Sequence, residues 1–251
     1  MRPPVLLVIA HGSRDPRHAA TVDALVRRVR SIRPRLVVET GFLDFNAPSV
    51  PRVLERLAAQ GTEDVIALPL LLTRAFHAKS DIPSVLREAS ARLPRLRIHR
   101  AEVLGPSPLL LAALHRRLWE AGLQEADKRS TGLVLASAGS TDPEAIAVIA
   151  EIARELRSAG WCAVRPAFAS ALLPRTDEVV RSLRADGCER VAVAPYVIAP
   201  GRLPDRIAEG ARQADVLADV LGASPELAQL LLERYEQALP ALTAGRVAVT
   251  A

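Results

Sequence analysis

Lysine is almost absent from this chain. Only Lys79 and Lys128 occur, so arginine carries nearly all of the positive charge behind a formal net charge of +5 and a pI near 10.0. Aromatic residues are also scarce, at two Trp, two Tyr and four Phe. None alternate with basic residues as the stacking platforms of a single-strand binder do. The basic balance therefore favours a small polycarboxylate over nucleic acid as the anionic partner. Cys162 and Cys188 are too few for a disulfide framework, and neither lies in a CxxC motif. No apolar run approaches the length of a membrane span, and Val5–Ala10 leads straight into a polar loop rather than a cleavage site. A cytoplasmic location with no membrane partner is the expectation. GxxxxGK[ST], GxGxxG and GxSxG are all missing, which argues against ATP use, a nucleotide or other organic cofactor, and a serine-hydrolase elbow.

What the chain does contain is alternation. Its 251 residues suffice for one large or two ordinary α/β domains. In the first half, short apolar runs at Val5–Ala10, Leu36–Leu43, Val65–Leu70 and Leu96–Arg100 predict strands. Amphipathic runs at Arg17–Arg33, Val50–Gln60, Ile82–Leu93 and Pro108–Ala121 predict helices, with Gly61 as a C′ residue and Asp81 as an N-cap. The polar segment Gln124–Thr131 reads as a linker. The second half repeats the order. Its expected strands are Leu133–Ser137, Ala163–Phe168, Val191–Pro195 and Ala214–Leu217, and its helices Glu144–Ser158, Thr176–Ala185, Leu203–Arg212 and Pro225–Ala238. Nothing is assigned to Thr243–Ala251. Strand–helix alternation with short connections implies parallel sheets with right-handed crossovers. The expected architecture is α/β, with two homologous flavodoxin-like domains, 1–124 and 125–251. Each has a mostly parallel four-stranded sheet flanked by helices, and the two face one another across a cleft.

The halves match residue by residue, and the match acts as an internal control. His11-Gly-Ser-Arg-Asp-Pro16, on the loop after the first strand, is echoed 127 residues later by Ala138-Gly-Ser-Thr-Asp-Pro143. Gly41–Pro48 matches Ala167–Pro174, and Val103–Pro108 matches Val220–Pro225. Residues kept in both copies are explained by the fold. Gly12/Gly139 permit a tight turn, Asp15/Asp142 cap the next helix, Pro16/Pro143 suit its first position, and Ser107 is a further N-cap.

Polar residues found in one copy only lack that explanation. His11 faces Ala138, Asp44 faces Ser170, and His77 faces the region of Leu203. All three lie at or beyond the carboxyl ends of strands, where open parallel sheets bind ligands. Two imidazoles and a carboxylate suit a borderline divalent metal with open positions for a substrate. Asp44 with Asn46 and Pro48 equally suits turn chemistry. His18, His99 and His115 lie outside this pattern and read as structural or solvated. Phe76 can wall a flat ligand, and Arg14, Arg74 and Lys79 can pair with its carboxylates. Another reading makes Gly12, Ser13 and the following helix N-terminus an anion site for a phosphate or nucleotide, against which stands the recurrence of the Gly-Ser pair in the half without the histidine.

The strand followed by His11-Gly-Ser-Arg-Asp15, Phe42-Leu-Asp44 with Pro48, and Pro69-Leu-Leu-Leu72 followed by His77 and Asp81-Ile-Pro83 resemble the CbiX/SirB sirohydrochlorin chelatases. The resemblance spans essentially the whole chain and matches the long, two-repeat members. It implies a class II chelatase fold binding a tetrapyrrole polycarboxylate between its halves. Fe²⁺ or Co²⁺, as substrate, is inserted without ATP, Fe²⁺ giving siroheme and Co²⁺ serving cobalamin synthesis. It also implies His11 and His77 as catalytic residues, and His11, Asp44 and His77 as metal ligands. Glutamate is usual at the third position, so Asp44 reaches about one methylene less far. Ser13, Arg14, Arg74, Phe76 and Lys79 are the expected substrate contacts, and a monomer acting as an internal pseudo-dimer is the expected state. A non-catalytic tetrapyrrole or metal-binding protein is the alternative of another class.

Overall fold

The computed structural model describes residues 3–74, 80–170 and 172–249, with residue 241 and residues 243–249 as backbone alone. The first half runs β1 (Val5–Ala10), α1 (Pro16–Ile32), β2 (Val38–Phe42), α2 (Val50–Ala59), β3 (Asp64–Pro69), α3 (Ile82–Arg92), β4 (Arg97–Arg100) and α4 (Pro108–Glu120). The second runs β5 (Thr131–Ser137), α5 (Pro143–Ser158), β6 (Ala163–Phe168), α6 (Thr176–Ala185), β7 (Arg190–Tyr196), α7 (Arg202–Gly210), β8 (Val216–Leu217) and α8 (Pro225–Val249). Two four-stranded parallel sheets result, ordered β2-β1-β3-β4 and β6-β5-β7-β8. The expected two-sheet α/β architecture is what the chain adopts.

The central strands are continuous apolar runs because helices cover both faces of a parallel sheet. All six residues of β1 are buried. Val5, Leu7 and Ile9 join Val53, Leu57 and Leu86 in one core, while Val134, Val180, Leu183 and Val193 anchor the other. Helix faces follow from spacing: α1 buries Val22, Leu25, Val26 and Val29. Asp15 caps α1 by accepting from Arg17 N at 2.9 Å, and Asp142 caps α5 by accepting from Glu144 N at 3.0 Å. Ser107 caps α4 through Leu109 N. Gly61 takes a positive φ of 75° past the end of α2, as a C′ residue does.

Three expectations change. Asp81 has helical dihedrals and makes no side-chain cap bond, because the helical path already begins at Ser80. The expected linker instead forms a 3₁₀ turn at Glu125–Arg129, with Lys128 buried and its Nζ 2.7 Å from Glu125. The last helix passes through Pro240 and continues to Val249, well beyond its expected end.

The repeat and the compact unit do not coincide. Residues 1–105 with 227–251 form one unit, and 106–226 form the other. Each sequence half ends in a helix that belongs to the other half's unit. The side chains show why. Helix α4 buries Leu110, Ala113, Leu114 and Leu118. Its Arg117 donates to Leu221 O at 3.0 Å, within the second unit. Helix α8 sends Arg234 to Val103 O at 2.9 Å and Leu104 O at 2.7 Å, and Tyr235 Oη to Pro4 O at 2.8 Å, within the first. The compact units divide after residues 105 and 226, whereas the expected boundary was drawn from the repeat after residue 124. Among the described residues no helix is long and apolar enough to cross a membrane.

Helix α4 also completes an aromatic cluster in the second unit. His115 stacks on Trp119 and Trp161 at centroid distances of 5.7 and 6.2 Å, and its Nε2 accepts from Trp161 Nε1 at 3.3 Å. Burial, and then the nearby Lys128 charge, hold the His115 pKa below its ordinary 6.5. The unfolded chain therefore takes up this proton first. The neutral ring's contribution to stability is present above the ordinary histidine value and is lost as pH falls through the folded value. We expect thermal stability to begin falling on acidification near the ordinary histidine value, and tryptophan fluorescence to change at lower pH, with a midpoint below 6.5. A fluorescence midpoint at or above 6.5 would refute this.

Candidate active site

Two loops at the carboxyl ends of adjacent strands β1 and β2 build the site in the first unit. The sheet ladder runs past the strands themselves. Leu43 N donates to Ala10 O at 3.0 Å and Asp44 N to His11 O at 2.9 Å. Gly12 makes this lacing possible. Its φ is +94°, and a Cβ there would lie 1.9 Å from Asp44 O. Within the second loop Asn46 N donates to Asp44 O at 2.7 Å. Between the loops Ser13 N donates to Asn46 Oδ1 at 2.7 Å.

The twin loops in the second unit keep the frame. Gly139 has φ +91°, with the position of a Cβ 2.0 Å from Ser170 O. Ser170 N donates to Ala138 O at 2.9 Å, and Leu172 N to Ser170 O at 2.7 Å. Ser13 and Ser140 play one role, accepting through Oγ from Asp15 N and Asp142 N, both at 3.1 Å. The Ser13 hydroxyl is thus engaged in loop structure. What the twin lacks is chemistry: the imidazole of His11, the carboxylate of Asp44 and the amide of Asn46.

His11 is partly buried, with Nδ1 3.1 Å from Gly12 O. A neutral ring that donates there carries its lone pair on Nε2. Asp44 is exposed, and its Oδ1 accepts from Phe45 N at 2.8 Å. The turn role and the ligand role expected for Asp44 therefore coexist, since one carboxylate offers about four acceptor positions. Arg14 lies with Cζ 5.3 Å from the centroid of the Phe45 ring. Arg74 pairs with Glu102, both well exposed, a contact that another carboxylate can replace at little expense. His77, Phe76 and Lys79 lie outside the described residues. Among the described residues no three His, Cys, Asp or Glu side chains gather as a metal site. Two of the three expected ligands, His11 and Asp44, stand on the neighbouring loops.

Two further residues belong to this neighbourhood. His18, expected to be structural or solvated, has its Nδ1 buried with no hydrogen-bond partner among the described residues. Burial, and secondarily His11, push its pKa below 6.5. The nearby His11 thus adds to burial in opposing protonation of His18. Asn46 was visible in the sequence only as a turn former, yet it ties the two loops across 33 positions. Replacing it with leucine, the residue at 172 in the twin, strips the Ser13 amide of its acceptor. We expect Asn46→Leu to lower stability by about 1–2 kcal/mol in urea denaturation, with Asn46→Asp recovering most of the loss.

The CbiX family model matches the chain twice, over residues 5–121 and 132–238. Sirohydrochlorin cobaltochelatase of Priestia megaterium is 29% identical, over 93% of this chain and 79% of its own. Sirohydrochlorin ferrochelatase of the same organism is 28% identical, over 93% of this chain and 90% of its own. Among solved structures, SirB from Bacillus subtilis with Fe³⁺ superposes with a TM-score of 0.81 at 25% identity, covering 94% of this chain and 95% of that one. With both halves matched and the two-sheet fold shared, the chain belongs to the CbiX family.

Proposed function

We propose that this protein is a sirohydrochlorin chelatase, a lyase that inserts a divalent metal into a tetrapyrrole without ATP. We favour Fe²⁺, giving siroheme, with Co²⁺ as the alternative; relatives named for each ion match over nearly the whole chain. The observation that carries the reading is a frame present twice with an imidazole only once: His11 on the first loop, Ala138 on its twin.

The metal is a substrate, and the protein must strip its water and remove two pyrrole protons. In this reading His11 and His77 act as ligands and proton acceptors, which neutral imidazoles do near neutrality. Asp44 serves as the third ligand through the carboxylate capacity that Phe45 N leaves unused. Arg14, Arg74, Lys79, Ser13 and Phe76 contact the macrocycle and its carboxylates, and the abundance of arginine suits a polyanionic substrate. The protein works as a cytoplasmic monomer with no nucleotide. Anaerobic assays with sirohydrochlorin and Fe²⁺, Co²⁺, Ni²⁺ or Zn²⁺ in turn test this. Many turnovers per protein support it. Stoichiometric binding without turnover would instead make the protein a carrier.

A further inference from the structure

Phe45 is anomalous in three respects. It is the only non-glycine residue with a positive φ among those described, at 60°. It is the only aromatic among the described large apolar side chains that stand exposed, at 50%. It also sits directly after Asp44, its ring centroid 6.2 Å from that of His11 at an interplanar angle of 38°. The left-handed region disfavours a bulky side chain, and solvent gives an exposed ring nothing in return. Glycine or asparagine would hold the same turn more easily. A strained and exposed residue next to a reactive group is therefore kept for what it touches outside the folded chain. The second repeat has Ala171 in this place, and Thr141 in place of Arg14. The aromatic and the cation are thus missing together from the half without the histidine.

The partner of Phe45 specifies the ligand. Arg14 Cζ lies 5.3 Å from the ring centroid, so the ring's π face holds a guanidinium that would otherwise scatter in solvent. A flat apolar face beside a positioned cation suits a planar conjugated ligand with a carboxylate at its rim. We propose that Phe45 is a substrate-positioning residue. Its ring packs against the conjugated macrocycle, and Arg14, braced by that ring, takes a peripheral carboxylate, which seats the substrate beside His11. This rests on the chelatase reading above and adds a residue to it.

The test separates binding from folding. Sirohydrochlorin affinity is read by its absorbance and fluorescence changes on metal-free protein, with thermal melting on the same samples. Phe45→Ala is expected to weaken binding about tenfold and to raise KM more than it lowers kcat. Phe45→Tyr, which restores the ring, is expected to recover most of the affinity. Phe45→Gly relieves the backbone, so it should melt no lower than wild type while binding as poorly as the alanine variant. A Phe45→Gly protein that melts lower but binds sirohydrochlorin with wild-type affinity overturns the proposal and makes the residue structural. Undiminished binding by Phe45→Ala also overturns it while leaving the chelatase reading intact. Failure of the wild-type protein to bind sirohydrochlorin at all removes both.

Discussion

His11→Ala is expected to lower kcat/KM for metal insertion by at least about a hundredfold, the usual scale for loss of a positioned acid–base group, while the protein melts close to wild type. The second repeat supplies the reason for separating these effects. Ala138 occupies the equivalent place, and its carbonyl accepts from Ser170 N at 2.9 Å, as the His11 carbonyl accepts from Asp44 N at 2.9 Å. The loop frame thus forms with alanine at this point. What alanine removes is a ring nitrogen lone pair beside two strand ends. Initial rates of metallated product under anaerobic conditions, with circular-dichroism melts on the same protein, check both halves of the prediction. Wild-type rates in His11→Ala would remove the site. A collapse of the fold would instead give the imidazole a structural role that Ala138 does without.

Local pattern carried most of the fold. The central strands were readable as short apolar runs because helices bury both faces, while the edge strand β4, Arg97–Arg100, is polar and partly exposed; strand ends shifted by a residue or two. What escaped was tertiary. The amphipathic patterns of α4 and α8 say that each buries one face but not against which sheet, so the exchange of final helices between the units could not be read. The last helix, expected to end at Ala238, passes through Pro240 and runs on to Val249. At the site, comparison of the repeats isolated His11 and Asp44 because chemistry present in one copy alone stands out. Asn46 passed the same comparison unnoticed, since asparagine suits a turn and its bond to Ser13 spans 33 positions. His18 was set aside because it lies on α1, a helix, where the sequence gives no sign that His11 affects it. Phe45 lies between Asp44 and Asn46 in a segment that reads as a turn, and only its backbone angle and exposure single it out.

The paired glycines allow the frame to be tested apart from the chemistry. Gly12→Ala is expected to be the most damaging single change in the first unit. Its Cβ would lie 1.9 Å from Asp44 O and 3.1 Å from Asn46 Oδ1, and the backbone already sits at φ +94°. No rotamer relieves a clash between Cβ and a main-chain oxygen, so the loops must separate. That separation breaks the bonds from Asp44 N to His11 O and from Ser13 N to Asn46 Oδ1. Strain and lost bonds together suggest about 3 kcal/mol of destabilisation, near the upper end for point changes. Gly139→Ala meets the same obstacle, with φ +91° and Ser170 O 2.0 Å from the new Cβ, and should cost a similar amount in denaturant unfolding. The loop it disturbs carries Ala138 rather than His11. Under conditions where both variants remain folded, Gly139→Ala should therefore keep most of its insertion rate per folded molecule while Gly12→Ala loses it. Equal losses would mean that the loop from Ala138 to Pro143 takes part in the chemistry. The contrast between the repeats would then be one of degree rather than of kind.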